Sequence, residues 1–236
     1  MHILIALLPS LLWGAMALLN AAFPAEPRRQ NTFVIAGGGA ASLLTSPLTG
    51  ATWSLHSLAW GMLSGLLWSI GIIFLLKGFQ TWGTSRTMPL TAALQLTLNG
   101  LIGVVLLGEW RAPGAMGLGL GAIVLVIAGG AAGAWQEGDG AGPGPGARRI
   151  GALATVCSAV FLAVYPGMLR LARVSSADAV GPMGIGLLVG AVIASRVLPR
   201  NGPLRGGGMV PALLSGVVWA LGNIALLRST SIVGVA

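Results

Sequence analysis

Apolar residues run along this chain in long blocks separated by short polar or Gly/Pro-rich stretches. Eight blocks predict helical spans: Ile3 to Phe23, Thr32 to Ser46, Leu58 to Leu76, Met88 to Gly108, Pro113 to Trp135, Ile150 to Leu171, Ala179 to Leu198 and Met209 to Leu227. A hydrocarbon core about 30 Å thick takes about 20 helical residues, so the second block is short; it also carries Gly37, Gly38 and Gly39. The first block has no Lys or Arg before it and spans about 20 residues, which favours a retained span over a cleaved signal peptide.

One block returns. LSGLLWSIGIIFLLK, Leu63 to Lys77, matches LSGVVWALGNIALLR, Leu214 to Arg228, at 8 of 15 positions with an offset of 151, and both end on a cation. The matched Ser-Gly, Trp and Gly spacing points to an internal repeat. Shifted equally, the second block lands on the seventh, which Gly181, Pro182, Gly184, Gly186 and Gly190 also interrupt. Paired Gly/Pro-broken segments point to a transport pathway, and close helix packing through small residues explains the same glycines. Gly61/Gly65, Gly117/Gly121 and Gly129/Gly133 are read as packing pairs.

The polar stretch QEGDGAGPGPGARR, Gln136 to Arg149, has no apolar face to bury and divides the repeats. The expected organisation is residues 1–137 as a first five-helix repeat, 138–149 as linker and 150–236 as a second repeat with three helices. Five spans in the first repeat force the second to enter from the opposite side, giving an inverted repeat. Ala236 corresponds to Ser85, so eight of ten expected spans are present, as in a C-terminally truncated version of a protein of roughly 285 residues.

Composition agrees with the pattern. With 55% hydrophobic and 8% charged residues in 236, and a mean hydropathy of +0.88, the chain reads as an all-α integral membrane protein. The net charge of +8 is spread singly or in pairs between apolar blocks, which sets topology and offers no phosphate track for nucleic acid. Loops after odd-numbered spans hold nine cations, Arg28, Arg29, Lys77, Arg86, Arg148, Arg149, Arg196, Arg200 and Arg205. The other side holds four, Arg111, Arg170, Arg173 and Arg228, so the positive-inside rule places the N-terminus outside. Cys157 has no partner for an intrachain disulfide, and His2 and His56, at the terminus and in a loop, lack company at metal spacing. No metal or cofactor is expected.

Candidate chemistry lies in polar residues on apolar helices. Thr91, Gln95 and Asn99 recur every four residues on one face of the fourth span, where Pro89 is expected in the first turn. That stripe should face the bundle interior, either to meet a polar solute or to bond a neighbouring helix. Trp13 and Asn20 share a face of the first span; Ser215, Trp219 and Asn223 share one on the eighth; Ser64 and Trp68 match the first two of these. Indole rings beside amides suit a neutral polyhydroxylated solute. Trp53, Trp82, Trp110 and Trp135, near span ends, read as interface anchors. Glu26, Glu109, Glu137, Asp139 and Asp178 lie at span ends or in loops; Glu109 is the one candidate for coupling, and a pair with Arg111 explains it as well. No catalytic constellation is present, so the chain is not expected to be an enzyme.

LLPSLLWGAMALLN at the start, GLLWSIG, SRTMPLTAALQL, GEW at Gly108 to Trp110 and LLSGVVWALGN resemble the glucose/ribose porter family of bacterial sugar-uptake proteins, in the drug/metabolite transporter superfamily. The resemblance covers essentially the whole chain. It implies ten helices in two inverted repeats, a central cavity and alternating access for monosaccharide uptake at the bacterial inner membrane, often proton-linked. Matching positions are Trp13, Gly14, Asn20, Trp68, Met88, Pro89, Gln95, Glu109, Trp219, Gly222 and Asn223. Arg86 stands where the family commonly has Lys, which makes it a gating or coupling candidate beside Glu109; Ile72, Ile73 and Phe74 replace polar amides. The expected solute site is Trp13, Asn20, Trp68, Thr91, Gln95, Asn99, Trp219 and Asn223. Drug or metabolite export and a transport-inactive fragment stay open as alternatives, as does homodimerisation. An epitope placed before Met1 is expected to be reached by antibody on intact spheroplasts; labelling only after permeabilisation would reverse the topology.

Overall fold

A computed structural model of the chain describes residues 2–106, 108, 110–111, 113–135 and 144–233, with side chains from 8 to 226. The described residues form helices α1 (His2–Ala22), α2 (Pro27–Thr45), α3 (Leu55–Trp82), α4 (Thr84–Val105), α5 (Ala115–Ala134), α6 (Pro145–Leu171), α7 (Ser176–Val197) and α8 (Met209–Val233). A 3₁₀ turn, Ser46–Thr49, follows α2. Among these residues seven helices are long and apolar enough to cross a membrane, and Leu8–Ala22 is a shorter apolar helix. The protein is therefore an all-α integral membrane protein.

Helix bounds differ from the hydropathy pattern where polar residues are helical. The second span is not short: α2 starts at Pro27, and with the 3₁₀ turn it runs 23 residues. Its first turns, Arg28 to Thr32, are polar but largely buried, so hydropathy alone placed them outside. Pro27 pre-sets the first φ, and Glu26 Oε2 accepts the Arg29 N–H at 2.9 Å as the N-cap. His56 lies in the first turn of α3, not in a loop. Pro89 sits inside α4, which starts five residues earlier at Thr84. The expected linker also shrinks, because α6 begins at Pro145 and takes in Arg148 and Arg149; residues 136–143 of it lie outside the described residues.

Contacts divide the chain into two compact units, Met1–Ser69 with Met168–Val235, and Ile70–Gly167. Within the first, α2 and α7 are unbroken helices that run antiparallel. Gly39 approaches the Gly184 carbonyl, and Gly181 lies under Ser46 and Trp53. The Gly-rich blocks are thus contact surfaces, not breaks. Lipid tails are as apolar as the side chains facing them, so helices here gain by close approach through small residues. A Cβ at Gly65 would strike the Met183 carbonyl on α7, and one at Gly216 would strike the Val34 carbonyl on α2. Likewise Gly186 lies against Met62 and Gly37 against Leu213.

These contacts come in counterpart pairs. Gly65/Gly216 and Met62/Leu213 keep the offset of 151, whereas Gly37/Gly186 and Val34/Met183 keep 149, two less than the sequence match alone suggested for these helices. The N-caps follow the second offset: Glu26 caps α2 and Ser175, accepting the Asp178 N–H, caps α7. The same rule pairs Trp13, which lies against Gly222, with Leu162, which lies against Gly71.

In the second unit Gly71 meets Leu162, Gly78 meets Thr87, Gly151 meets Trp82, and Gly130 meets Ala93. Phe74 and Phe161 stack with centroids 6.1 Å apart and planes 10° from parallel. On α5 the outward face carries Leu118, Val124 and Leu125, all exposed, as a lipid-facing helix should. A Cβ added at Gly117, Gly121 or Gly129 would meet no heavy atom within 4 Å among the described residues, so these are not packing contacts; Gly133 does meet Pro89. Accordingly Gly65→Val and Gly216→Val are each expected to cost about 3 kcal/mol or more through overpacking against backbone, while Gly117→Val is tolerated. Unfolding in mixed detergent micelles checks the order.

Candidate functional site

Each unit holds its own set of the expected site residues. In the first, three helices converge on a buried amide. Asn20 Nδ2 on α1 donates to the Met16 carbonyl at 3.0 Å and to Ser215 Oγ on α8 at 2.7 Å. Gln30 Nε2 on α2 donates to the Asn20 carbonyl at 3.0 Å and to Asn20 Oδ1 at 3.2 Å. Asn20 is 4% exposed and Gln30 5%, so each bond is made away from solvent, where an unpaired amide would cost about 1–3 kcal/mol. Sequence reasoning missed Gln30 because it precedes the apolar block of α2; the signal available was the amide pair Gln30-Asn31 shortly after a Pro N1.

Trp68 and Trp219 are counterparts at the offset of 151 and touch each other, with centroids 4.0 Å apart and a 37° tilt. Such pairs contribute about 0.5–1.5 kcal/mol beyond area burial. Trp219 also lies against Gly38, and both indoles are almost wholly buried. Asn223, one turn on from Trp219, is buried with Nδ2 3.9 Å from Met183 Sδ, a weak acceptor. Trp13 is half-buried, and its Nε1, a buried donor, has no protein partner among the described residues.

The second unit holds the stripe of α4. Thr91 is buried with no partner for Oγ1 among the described residues, and Gln95 Nε2 donates to the Leu162 carbonyl on α6 at 3.1 Å. The Gln95 amide nitrogen is therefore engaged by a neighbouring helix, as one of the two readings of that stripe expects. Asn99 and Arg86 are half-buried. Glu109 lies outside the described residues.

Counterparts separate packing from chemistry. Trp68/Trp219 and Ser64/Ser215 repeat, as residues that hold a symmetric fold would. Trp13, Asn20, Gln30 and Asn223 do not: their counterparts are Leu162, Leu169, Ala179 and Ile72. At these four positions the counterparts are apolar.

A multi-pass helical protein with a buried, asymmetric amide cluster near an aromatic pair has the build of a membrane carrier for a polar solute. The chain belongs to the Sugar transport protein family, whose model matches residues 4–236. It is 32% identical to a glucose uptake protein of Bacillus subtilis over 100% of this chain and 81% of that protein. It is 30% identical to a probable glucose uptake protein of Priestia megaterium over 100% of this chain and 82% of that protein. No solved structure matches the chain.

Asn20→Leu alone takes the Oδ1 acceptor from Gln30, leaving it only the main-chain carbonyl of residue 20, and is expected to cost about 1–3 kcal/mol, whereas adding Gln30→Ala removes both partners and recovers part of that loss. A double-mutant cycle of thermal stability in detergent measures the coupling; strict additivity would separate the two residues.

Proposed function

We propose that this chain is a secondary carrier for uptake of a neutral monosaccharide, of glucose or ribose type, across the bacterial cytoplasmic membrane by alternating access. Its two inverted repeats, 1–137 and 150–236, would place the solute near the Trp68/Trp219 contact, at the depth where repeat-built carriers bind. The observation that carries the reading is that the bonded pair Asn20 and Gln30, and separately Trp13 and Asn223, are polar where their counterparts are apolar. Symmetric residues account for the shared packing, and polar groups within a membrane bundle are rare and line its interior or a polar pathway. Membership of the sugar transport family and the likeness to glucose uptake proteins support a sugar as that solute.

In this reading the indole N–H of Trp13 and the Asn223 amide are the groups with hydrogen-bonding capacity left for a hydroxyl, since the Asn20 nitrogen is already engaged. Thr91 is the corresponding candidate on α4. Nothing in the packing favours the exporter alternative: Ile72 is buried and Phe74 stacks on Phe161, so the apolar residues after Gly71 serve helix contacts.

Proteoliposomes holding the full chain are expected to take up labelled glucose or ribose in a saturable manner. Asn223→Ala should raise KM about tenfold or more, the loss of one hydrogen bond to a buried polar group, with little change in the amount of folded protein. Asn20→Leu with Gln30→Ala copies the counterpart residues and should fold while losing uptake. Failure of either sugar to enter would sink the sugar assignment.

A further inference from the structure

Two loop contacts at opposite ends of the α2/α7 pair are counterparts, and they carry opposite charge. At the start of α2, Arg29 gathers the carbonyls of the α7–α8 loop. Its Nε donates to Leu204 at 3.1 Å, Nη1 to Gly207 at 2.8 Å and Nη2 to Pro203 at 2.6 Å, while Arg28 Nη2 donates to Gly202 at 2.9 Å. At the start of α7, Asp178 Oδ1 accepts the Thr52 N–H of the α2–α3 loop at 2.8 Å, and Thr49 Oγ1 donates to the Ala177 carbonyl at 3.3 Å.

The offset that pairs the caps Glu26 and Ser175 also pairs Arg28 with Ala177 and Arg29 with Asp178. The offset that pairs α3 with α8 carries Thr52 to Pro203, the loop residue that Arg29 holds. Both clasps are built alike: the N-cap of each helix fixes the backbone of the charged residue three positions on. Backbone offers carbonyls to a cation and N–H groups to an anion, so either sign can hold the same loop. The distribution of loop cations puts the arginines on the cytoplasmic side and the aspartate outside.

We propose that Arg29 and Asp178 are the clasps of two opposed gates. Arg29 ties the chain entering α8 to α2 on the cytoplasmic face, Asp178 ties the chain entering α3 to α7 on the external face, and the carrier opens to a face by releasing the clasp there. This rests on the alternating-access reading. Among the described residues the arginine end makes four hydrogen bonds to its loop, whereas the aspartate end makes one and the long arm of a Thr49 hydroxyl shared with Ser46, so the cytoplasmic gate is the firmer and the empty carrier favours opening outward.

Hydrogen–deuterium exchange of the full chain in lipid nanodiscs, without sugar, tests it. Arg29→Gln should speed exchange in residues 199–208 about tenfold, the loss of charge-assisted bonds, and slow it in residues 46–54. Asp178→Ala should do the reverse, and Arg29→Lys, whose three donors share one nitrogen and cannot span carbonyls spread around a guanidinium, should fall between wild type and Arg29→Gln. Unchanged exchange within residues 34–43 and 180–191 certifies the fold; if Asp178→Ala fails there, Thr52→Pro, which removes the donor to Asp178 from the loop side, takes its place. Faster exchange confined to the altered loop, or in both loops together, would overturn the gates, since a simple structural tie produces one or the other. The measurement needs no solute: a reciprocal response in a chain that moves no sugar keeps the clasps and discards the sugar, and uptake without reciprocity does the opposite.

Discussion

Backbone against backbone is the contact on which the first unit depends. In lipid there is no water to expel from between two helices, so affinity comes from dispersion at close range and from satisfied polar groups. Gly65 against α7, Gly216 against α2, Gly186 against Met62 and Gly37 against Leu213 are places where a single methyl group would collide with a neighbouring main chain. Those four approaches set the register of α3 on α7 and of α8 on α2. Register in turn places Trp68 on Trp219 and brings Ser215 within reach of Asn20.

Because the glycine contacts occur in counterpart pairs, departures from the pairing carry information. Symmetric packing accounts for the tryptophan pair and for Ser64 and Ser215. It does not account for Asn20 and Gln30 opposite Leu169 and Ala179, or for Asn223 opposite Ile72. The amide cluster also shows how a polar group is kept in an apolar bundle: the Asn20 side-chain nitrogen donates twice and its side-chain oxygen accepts, with two of these three bonds made to side chains of other helices. At the helix ends the same pairing holds backbone geometry while letting charge change sign, as Arg29 and Asp178 do under one pattern of N-caps. Topology acts on the charge and packing acts on the backbone, and the two requirements are met by different atoms.

Much of the fold was legible along the chain because a membrane span announces itself by length and hydropathy, and a repeat by spacing. Ser-Gly, Trp and Gly at matched positions in Leu63 to Lys77 and Leu214 to Arg228 mark α3 and α8 as counterparts independently of any contact. Of the candidate site, only some residues were visible along the chain. Trp13, Asn20, Trp219 and Asn223 stood out as polar or aromatic residues on apolar faces, but Gln30 did not, since the turns of α2 that carry it are polar and are buried only by tertiary contact. For the same reason the second span read as too short, and glycines on α5 read as packing residues although no described neighbour approaches Gly117, Gly121 or Gly129.

Sequence by itself determined the class of protein and its apolar helices, and it marked the matched segments and the residue types able to meet a polar solute, because each follows from composition or from spacing along the chain. Only the tertiary structure decided which glycines are contacts, that the counterpart offset is 149 for α2 and α7, that Trp68 meets Trp219, and that the α7–α8 loop is held by Arg29. Those depend on distances between segments far apart in the chain. A one-dimensional pattern carries the period of a helix and not the partner it finds.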